Sequence, residues 1–229
     1  MIGRLKSVGI ALTILGLVFV AAGAFAYLKV QDGQASLNSF SAAQDVTLSY
    51  NEDGQLVDRG ETAGAQAIMA LLKDEWKYPV VDSEFDPNDP VVNTASEYMY
   101  QMATITYHTL HSATTVTLTE PVEYNGTTYA AGDYEYQNEG SYWTGFDRSD
   151  PIEGPAREKI WTGTAHALIG ELGVGTVTAQ ALQLGLGLAG LFAGVGATFM
   201  LTGIGLVWVT RAQEVPVPEL RPVKVNVPA

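Results

Sequence analysis

"LGLGLAGLFAGVGATFMLTGIGLVWV", Leu184 to Val209, is the stretch on which the fold turns. Its segment "GLGLAG", Gly185 to Gly190, matches the dinucleotide pattern G-x-G-x-x-G letter for letter. A working fingerprint of that kind ends a strand, opens a helix within a βαβ unit, and has an acidic residue about 20 positions further on for the ribose. Here the chain runs from Leu172 to Thr210 without one Asp, Glu, Lys, Arg or His. Nothing in that run holds a ribose, and nucleotide binding is excluded. At 1.5 Å per residue the stretch reaches about 39 Å as a helix, enough to cross a hydrocarbon core of about 30 Å with some tilt. Residues 184–209 therefore read as a transmembrane helix.

The glycines then become a packing surface. Gly187, Gly190, Gly194 and Ala197 advance by three, four and three residues and share one helical stripe. Small residues let helices approach closely in lipid, where no hydrophobic drive brings them together. The stripe predicts a helix–helix contact. Its first candidate partner is the amino-terminal apolar segment, whose Gly9, Gly16 and Gly23 recur every seven residues. A second copy or a foreign subunit are the others.

That segment, "VGIALTILGLVFVAAGAFAYL", spans Val8 to Leu28, with Arg4 and Lys6 before it and Lys29 after it. "AFA" at Ala24 to Ala26 has the form of a signal-peptide cleavage site. The apolar run, however, exceeds the 7 to 15 residues of a signal core, so a retained first transmembrane helix over residues 8–28 is expected. Tyr27 and Trp208 sit where interfacial aromatics belong. Two spans put both termini on one side. The flanks carry six bases (Arg4, Lys6, Lys29, Arg211, Arg221, Lys224) against Glu214 and Glu219, while the rest of a chain of net charge −13 carries the strong acidic excess. The positive-inside rule then predicts a plasma-membrane protein with the lipid bilayer as its first partner. Residues 1–7 and the Pro-rich tail 210–229 are cytoplasmic, and an acidic domain over 29–183 lies outside.

With no cysteine, that domain has no disulfide framework and stands on its core. "DVTLSY" and "QLVDR" flank the turn "NEDG", Asn51 to Gly54, and read as a hairpin. "ETAGAQAIMALLKDEW", Glu61 to Trp76, places Ala67, Ile68, Leu71 and Leu72 on one helical face. "YPVVDSEFDPNDPVV" reads as an irregular loop. A second helix starts near Thr94, which has capping-box spacing to Glu97. "TTVTLTE", "PVEY" and "TTYAAGDYEY" read as strands, the last two joined by a turn at Asn125-Gly126. A helix opened by Pro155 leads towards the second span. The expected fold is an α+β extracytoplasmic domain, with antiparallel β-hairpins and about three helices, held between two transmembrane α-helices.

The phrases "VTLSYNEDGQLVDRGETA" and "DPNDPVVNT", set between two membrane spans, resemble uncharacterised two-span membrane proteins of high-GC Gram-positive bacteria. Some of these carry the label aromatic ring-opening dioxygenase. The resemblance implies oxygen activation at a non-heme iron, which needs two His and one carboxylate on one face. The chain has three histidines, His108, His111 and His166. His108 and His111 share a helical face, but Glu97 lies about 16 Å back along the same helix, so the third ligand has to come from another element.

In the acidic loop Asp82, Glu84, Asp86 and Asn88 alternate as calcium ligands do, yet Pro87 stands where an EF-hand requires glycine and Asn93 where it requires a bidentate Glu. A weak, extracellular-type calcium site is the most this loop offers. Tyr124, Tyr129, Tyr134, Tyr136, Tyr142 and Trp143 are dense enough to stack on envelope carbohydrate or to pair across strands. The sequon Asn125-Gly126-Thr127 coincides with a hairpin turn. There is no G-x-S-x-G elbow for a hydrolase, and the acidic domain repels nucleic acid. The reading is a non-catalytic integral membrane protein without cofactor, an accessory or scaffold subunit of a cell-envelope or membrane complex that packs against other membrane helices or subunits. The alternative is an extracytoplasmic binding module for calcium or envelope carbohydrate, and behind it a metal-dependent enzyme.

Overall fold

An apolar segment without an internal helix breaker continues as a helix until capping or turn residues stop it. In the computed structural model, which describes residues 2–213, the first helix α1 accordingly runs Ile2–Gln44, well past the apolar segment. It stops at Asp45, whose positive φ of 52° turns the chain. The last helix, α5, runs Gly163–Gln213. Both are long and apolar enough to cross a membrane. Only 17% and 11% of their most apolar windows are buried, whereas the core helix of a soluble protein is mostly buried. The expected helix edges at 28 and 184 thus mark where the residues turn apolar and not where the helices end. Of the tail 210–229, α5 takes the first residues as far as Gln213, and the expectation for the remainder lies outside the described residues.

The chain divides into two compact units, residues 2–32 with 183–213 and residues 33–182. In the first, the two helix segments run antiparallel, and Gly9, Gly16 and Gly23 meet Gly203, Gly196 and Ala189. Positions on each helix step by seven in opposite directions, the heptad spacing of a left-handed helix pair.

The second unit begins where the residues become polar. Helix α2, Thr62–Ala70, continues into a π-helical turn, Leu71–Glu75, closed by Trp76 N donating to Leu71 O. Ile68 and Leu72 lie fully buried at its centre, with Ala65 and Leu71 beside them. Helix α3, Ala95–Leu110, has the expected capping box, with Glu97 N donating to Thr94 Oγ1 and Thr94 N donating to the Glu97 carboxylate. Strands β1 (Ala113–Leu118) and β4 (Gly132–Gln137) pair antiparallel, as do β2 (Val122–Tyr124) and β3 (Thr127–Tyr129) between them. The β2–β3 turn is Asn125-Gly126, both at positive φ (49° and 78°), which a tight hairpin of this kind demands.

Two expectations change. The hairpin around Asn51 to Gly54 is shortened to one antiparallel bridge, Tyr50 to Leu56, closed by Asn51 N donating to Gln55 O and Val57 N donating to Ser49 O, while the residues before it pair elsewhere, Leu48 N donating to Pro90 O and Val92 N to Val46 O. The helix expected from Pro155 starts two residues earlier, as α4 (Glu153–Ile160), and ends at Trp161. There Thr162 Oγ1 accepts from Ala165 N and starts α5. The last turns of α1 and the first turns of α5 belong to this unit and close on α3. Ser41 Oγ and Tyr98 Oη share a buried hydrogen bond of 2.7 Å, and a Cβ at Gly175 would lie 2.6 Å from the Tyr98 ring.

Candidate functional site

The membrane unit has two small-residue faces on α5, and the structure assigns them different work. A Cβ added at Gly16 would lie 2.6 Å from the carbonyl oxygen of Gly196, and one at Gly196 would lie 2.7 Å from that of Gly16. Gly9 meets Gly203 O at 2.8 Å and Gly23 meets Ala189 O at 2.8 Å in the same sense. Backbones this close leave no room for a side chain. Gly187, Gly190 and Gly194 have nothing within 4 Å of an added Cβ. The expected pairing of the stripe Gly187, Gly190, Gly194, Ala197 with the first span is therefore corrected. Gly9, Gly16 and Gly23 do face α5, but they face a different row of it. The physical reason is position around the helix: both rows repeat every seven residues, but Gly187 and Gly194 stand two positions before Ala189 and Gly196, about 200° around the helix, so a partner seated on the row Ala189, Gly196, Gly203 leaves them bare. What remains at Gly190 and Gly194 is an open groove bordered by Leu191, Val195, Thr198 and Phe199.

In residues 33–182 the acidic-loop residues expected to ligate calcium make local bonds. Asp82 pairs with Lys73 at 2.9 Å. Glu84 Oε2 accepts from Ser96 N at 2.8 Å, at the start of α3. Asp86 Oδ1 accepts from both Asn88 N and Asn88 Nδ2, forming an Asx turn. Each member of the calcium candidate Asp82, Glu84, Asp86, Asn88 thus serves a separate local bond. Among the described residues no three His, Asp or Glu side chains gather as a metal would need.

The histidines are also apart in role. His108 Nε2 lies 2.9 Å from Asp58 Oδ1, both partly buried, in a pair that sequence spacing does not reveal because fifty residues separate them. His111 Nδ1 turns back to Tyr107 O at 2.8 Å, and its ring lies on that of Tyr107. His166 sits beside Trp143 and Trp161. The chain also buries the hydroxyls of two phenols, Tyr50 and Tyr100, which have no hydrogen-bond partner among the described residues. Burial first, then nearby carboxylates, pushes Tyr50 up to about 12 and Tyr100 higher still, so both stay protonated.

The aromatic stretch splits into two groups and does not form one stacking platform. Tyr124 and Tyr129 donate to Asp147 and Asp150, Tyr134 donates to Ala130 O, and Tyr136 packs on Phe146. Separately, Tyr142 stacks on Trp161 and accepts from Trp76 Nε1, while the Arg157 guanidinium lies 3.2 Å over the Trp143 ring. Trp161 Nε1 donates to Ser141 O. Among the six aromatic residues, the hydroxyls of Tyr124, Tyr129, Tyr134 and Tyr142 are hydrogen-bonded within the protein. No family model, no curated protein and no solved structure matches the chain.

Proposed function

We propose that the chain is a non-catalytic integral membrane protein, an accessory or scaffold subunit of a cell-envelope or membrane complex. In this reading both termini are cytoplasmic, and residues 33–182 stand on the outer side of the plasma membrane. One observation carries it. Helix α5 presents a second small-residue row, Gly187, Gly190 and Gly194, after the first row has been used on α1. A glycine row in lipid gains nothing alone and stabilises a membrane protein when another backbone lies against it. The basic flanks and the acidic remainder support the orientation.

The test is purification in mild detergent of the native chain and of the Gly190→Leu/Gly194→Leu variant, with identification of co-eluting membrane proteins. The wild type brings down a defined subunit or a second copy, and the variant loses it while remaining in the membrane fraction. An unchanged set of partners would sink the proposal. For orientation, protease added to intact cells cuts between the spans and leaves a tag at Ala229 untouched. Digestion of that tag from outside reverses the topology.

A further inference from the structure

We infer that the basic end of the membrane unit binds one anionic phospholipid, with an acyl chain in a groove between α1 and α5 and its phosphate on Arg211. This rests on the membrane reading above. The groove measures about 360 Å³. It has a local cause. Gly9 and Gly203 bring the two backbones together, and the branched residues that follow each of them, Ile10 and Ile204, stand up on the same side. Ile14 and Val207 complete the walls, and Trp208 and Arg211 stand at one end. Thr13 also lines the groove, but its hydroxyl donates to Gly9 O at 2.9 Å, so its proton is taken and it offers an occupant no donor. An alkyl chain is the occupant that needs none.

The end of the groove has the opposite chemistry. Arg211 is in the last turns of α5, and its guanidinium can take a phosphate with two parallel hydrogen bonds. No Asp or Glu occurs before Asp32 or between Leu172 and Gln213, and among the described residues no carboxylate pairs with Arg211. Arg4 and Lys6 add positive charge to the same end of the unit, which disfavours a headgroup carrying its own cation. Trp208, 71% exposed, is of the type that settles at headgroup level beside such a site. Glu214 and Glu219 follow Arg211 in the sequence, but the five bases Arg4, Lys6, Arg211, Arg221 and Lys224 leave that end net positive, and apolar wall, guanidinium and this basic excess together select a phosphatidylglycerol-like lipid over phosphatidylcholine.

Native mass spectrometry of the full chain in detergent, with dioleoyl phosphatidylglycerol or dioleoyl phosphatidylcholine added, tests this. The wild type retains one phosphatidylglycerol in preference to phosphatidylcholine. Arg211→Gln lowers phosphatidylglycerol binding roughly fiftyfold: about fivefold for one surface charge and about tenfold for the lost charge-assisted bonds. Arg4→Gln removes the same charge away from the groove and costs only the fivefold share. Ile204→Trp fills the groove, keeps every charge and also releases the lipid. Equal losses in Arg4→Gln and Arg211→Gln, or equal retention of the two lipids, overturn the inference. A chain that stays soluble without detergent would overturn the membrane reading itself, whereas a detergent-dependent chain with no lipid preference loses only the lipid site.

Discussion

Along the membrane unit Gly9, Gly16 and Gly23 meet Gly203, Gly196 and Ala189 backbone to backbone, whereas in residues 33–182, the outer unit of the proposed topology, Tyr98, Asn138 and Glu97 meet their neighbours through side-chain hydrogen bonds. The difference follows from the solvent. Hydrocarbon gives apolar side chains no reason to leave it, so close approach and dispersion decide the pairing, and glycine permits the closest approach. Water drives Ile68, Leu72 and Val116 inward, and the polar groups taken along find partners, the hydroxyls of Tyr50 and Tyr100 excepted. The two units should therefore fail in different ways when one residue is changed.

The largest effect is expected from Gly16→Leu. Its Cβ would lie 2.6 Å from Gly196 O and 2.7 Å from the backbone nitrogen of Met200, so the helices have to separate along their length. The cost is about 3 kcal/mol or more, beyond ordinary overpacking because backbone cannot yield as a side chain does. Gly190→Leu, on the same pair of helices but on the bare row, should change the stability of the isolated chain by less than about 0.5 kcal/mol. Thermal unfolding of both variants in one detergent makes the comparison. Similar losses would mean that the two rows are not distinct.

In the outer unit the corresponding weak point is polar. Asn138 is 1% exposed, its Nδ2 donates to Thr109 O and Ser141 O, and its Oδ1 accepts from Ser141 N. Asn138→Ala leaves Ser141 N without its acceptor and takes one donor each from Thr109 O and Ser141 O, which keep Ser112 Oγ and Trp161 Nε1, and should cost about 2 kcal/mol. Asn138→Asp is a sharper probe, because it keeps the acceptor and loses both donors. If alanine costs less than aspartate, burial of charge outweighs the lost bonds. A null result for both would show that water reaches the site.

Smaller again is the cap of α3. Thr94→Ala removes the acceptor for Glu97 N and one donor to the Glu97 carboxylate, and about 1 kcal/mol is the usual effect of losing such a cap. Thr94→Ser keeps the hydroxyl and should restore nearly all of it. Equal melting temperatures for the two variants would remove the cap from the account.

Local signals were the legible part of this molecule. Thr94 and Glu97 interact across three residues and Asn125-Gly126 turns within two, so their chemistry is written where it acts. The seven-residue spacing of Gly9, Gly16 and Gly23 is local as well, and it does face α5. Which row of α5 it meets is not local: small residues lie on two faces of that helix with the same seven-residue spacing, and only the packing against the partner distinguishes them. The acidic loop misleads for a related reason. Alternating oxygens at Asp82, Glu84, Asp86 and Asn88 look like a ligand set until Lys73 and the amide of Ser96, from outside the loop, claim two of them. The Asp58–His108 pair and the unpartnered hydroxyls of Tyr50 and Tyr100 depend on packing between distant segments, and nothing in the spacing announces them.

The smallest effect is a pH dependence that belongs to the outer unit alone. Glu97 is 1% exposed, and burial is the leading influence on it, pushing its carboxyl above the ordinary glutamate range. Hydrogen bonds from Asn93 and Thr94 pull it back, and Asp89 adds to the rise. A carboxyl whose folded pKa is raised holds its proton more tightly in the folded state than in the unfolded one. Its contribution is therefore full below the unfolded value, about 4.3 for glutamate, and is lost as pH climbs through the raised folded value. Glu97→Gln has no such titration. The stability of the wild type relative to this variant should fall as pH rises from about 4 through the window above it. Unfolding midpoints of both proteins in the same detergent, taken at steps across that range, read the slope. The membrane unit has no titrating side chain in its helix contact, so Gly16→Leu should run parallel to the wild type over the same range. A gap between wild type and Glu97→Gln that widened with pH would mean that the bonds from Asn93 and Thr94 outweigh burial, and that the capping box stabilises the ionised carboxylate more than its surroundings oppose it.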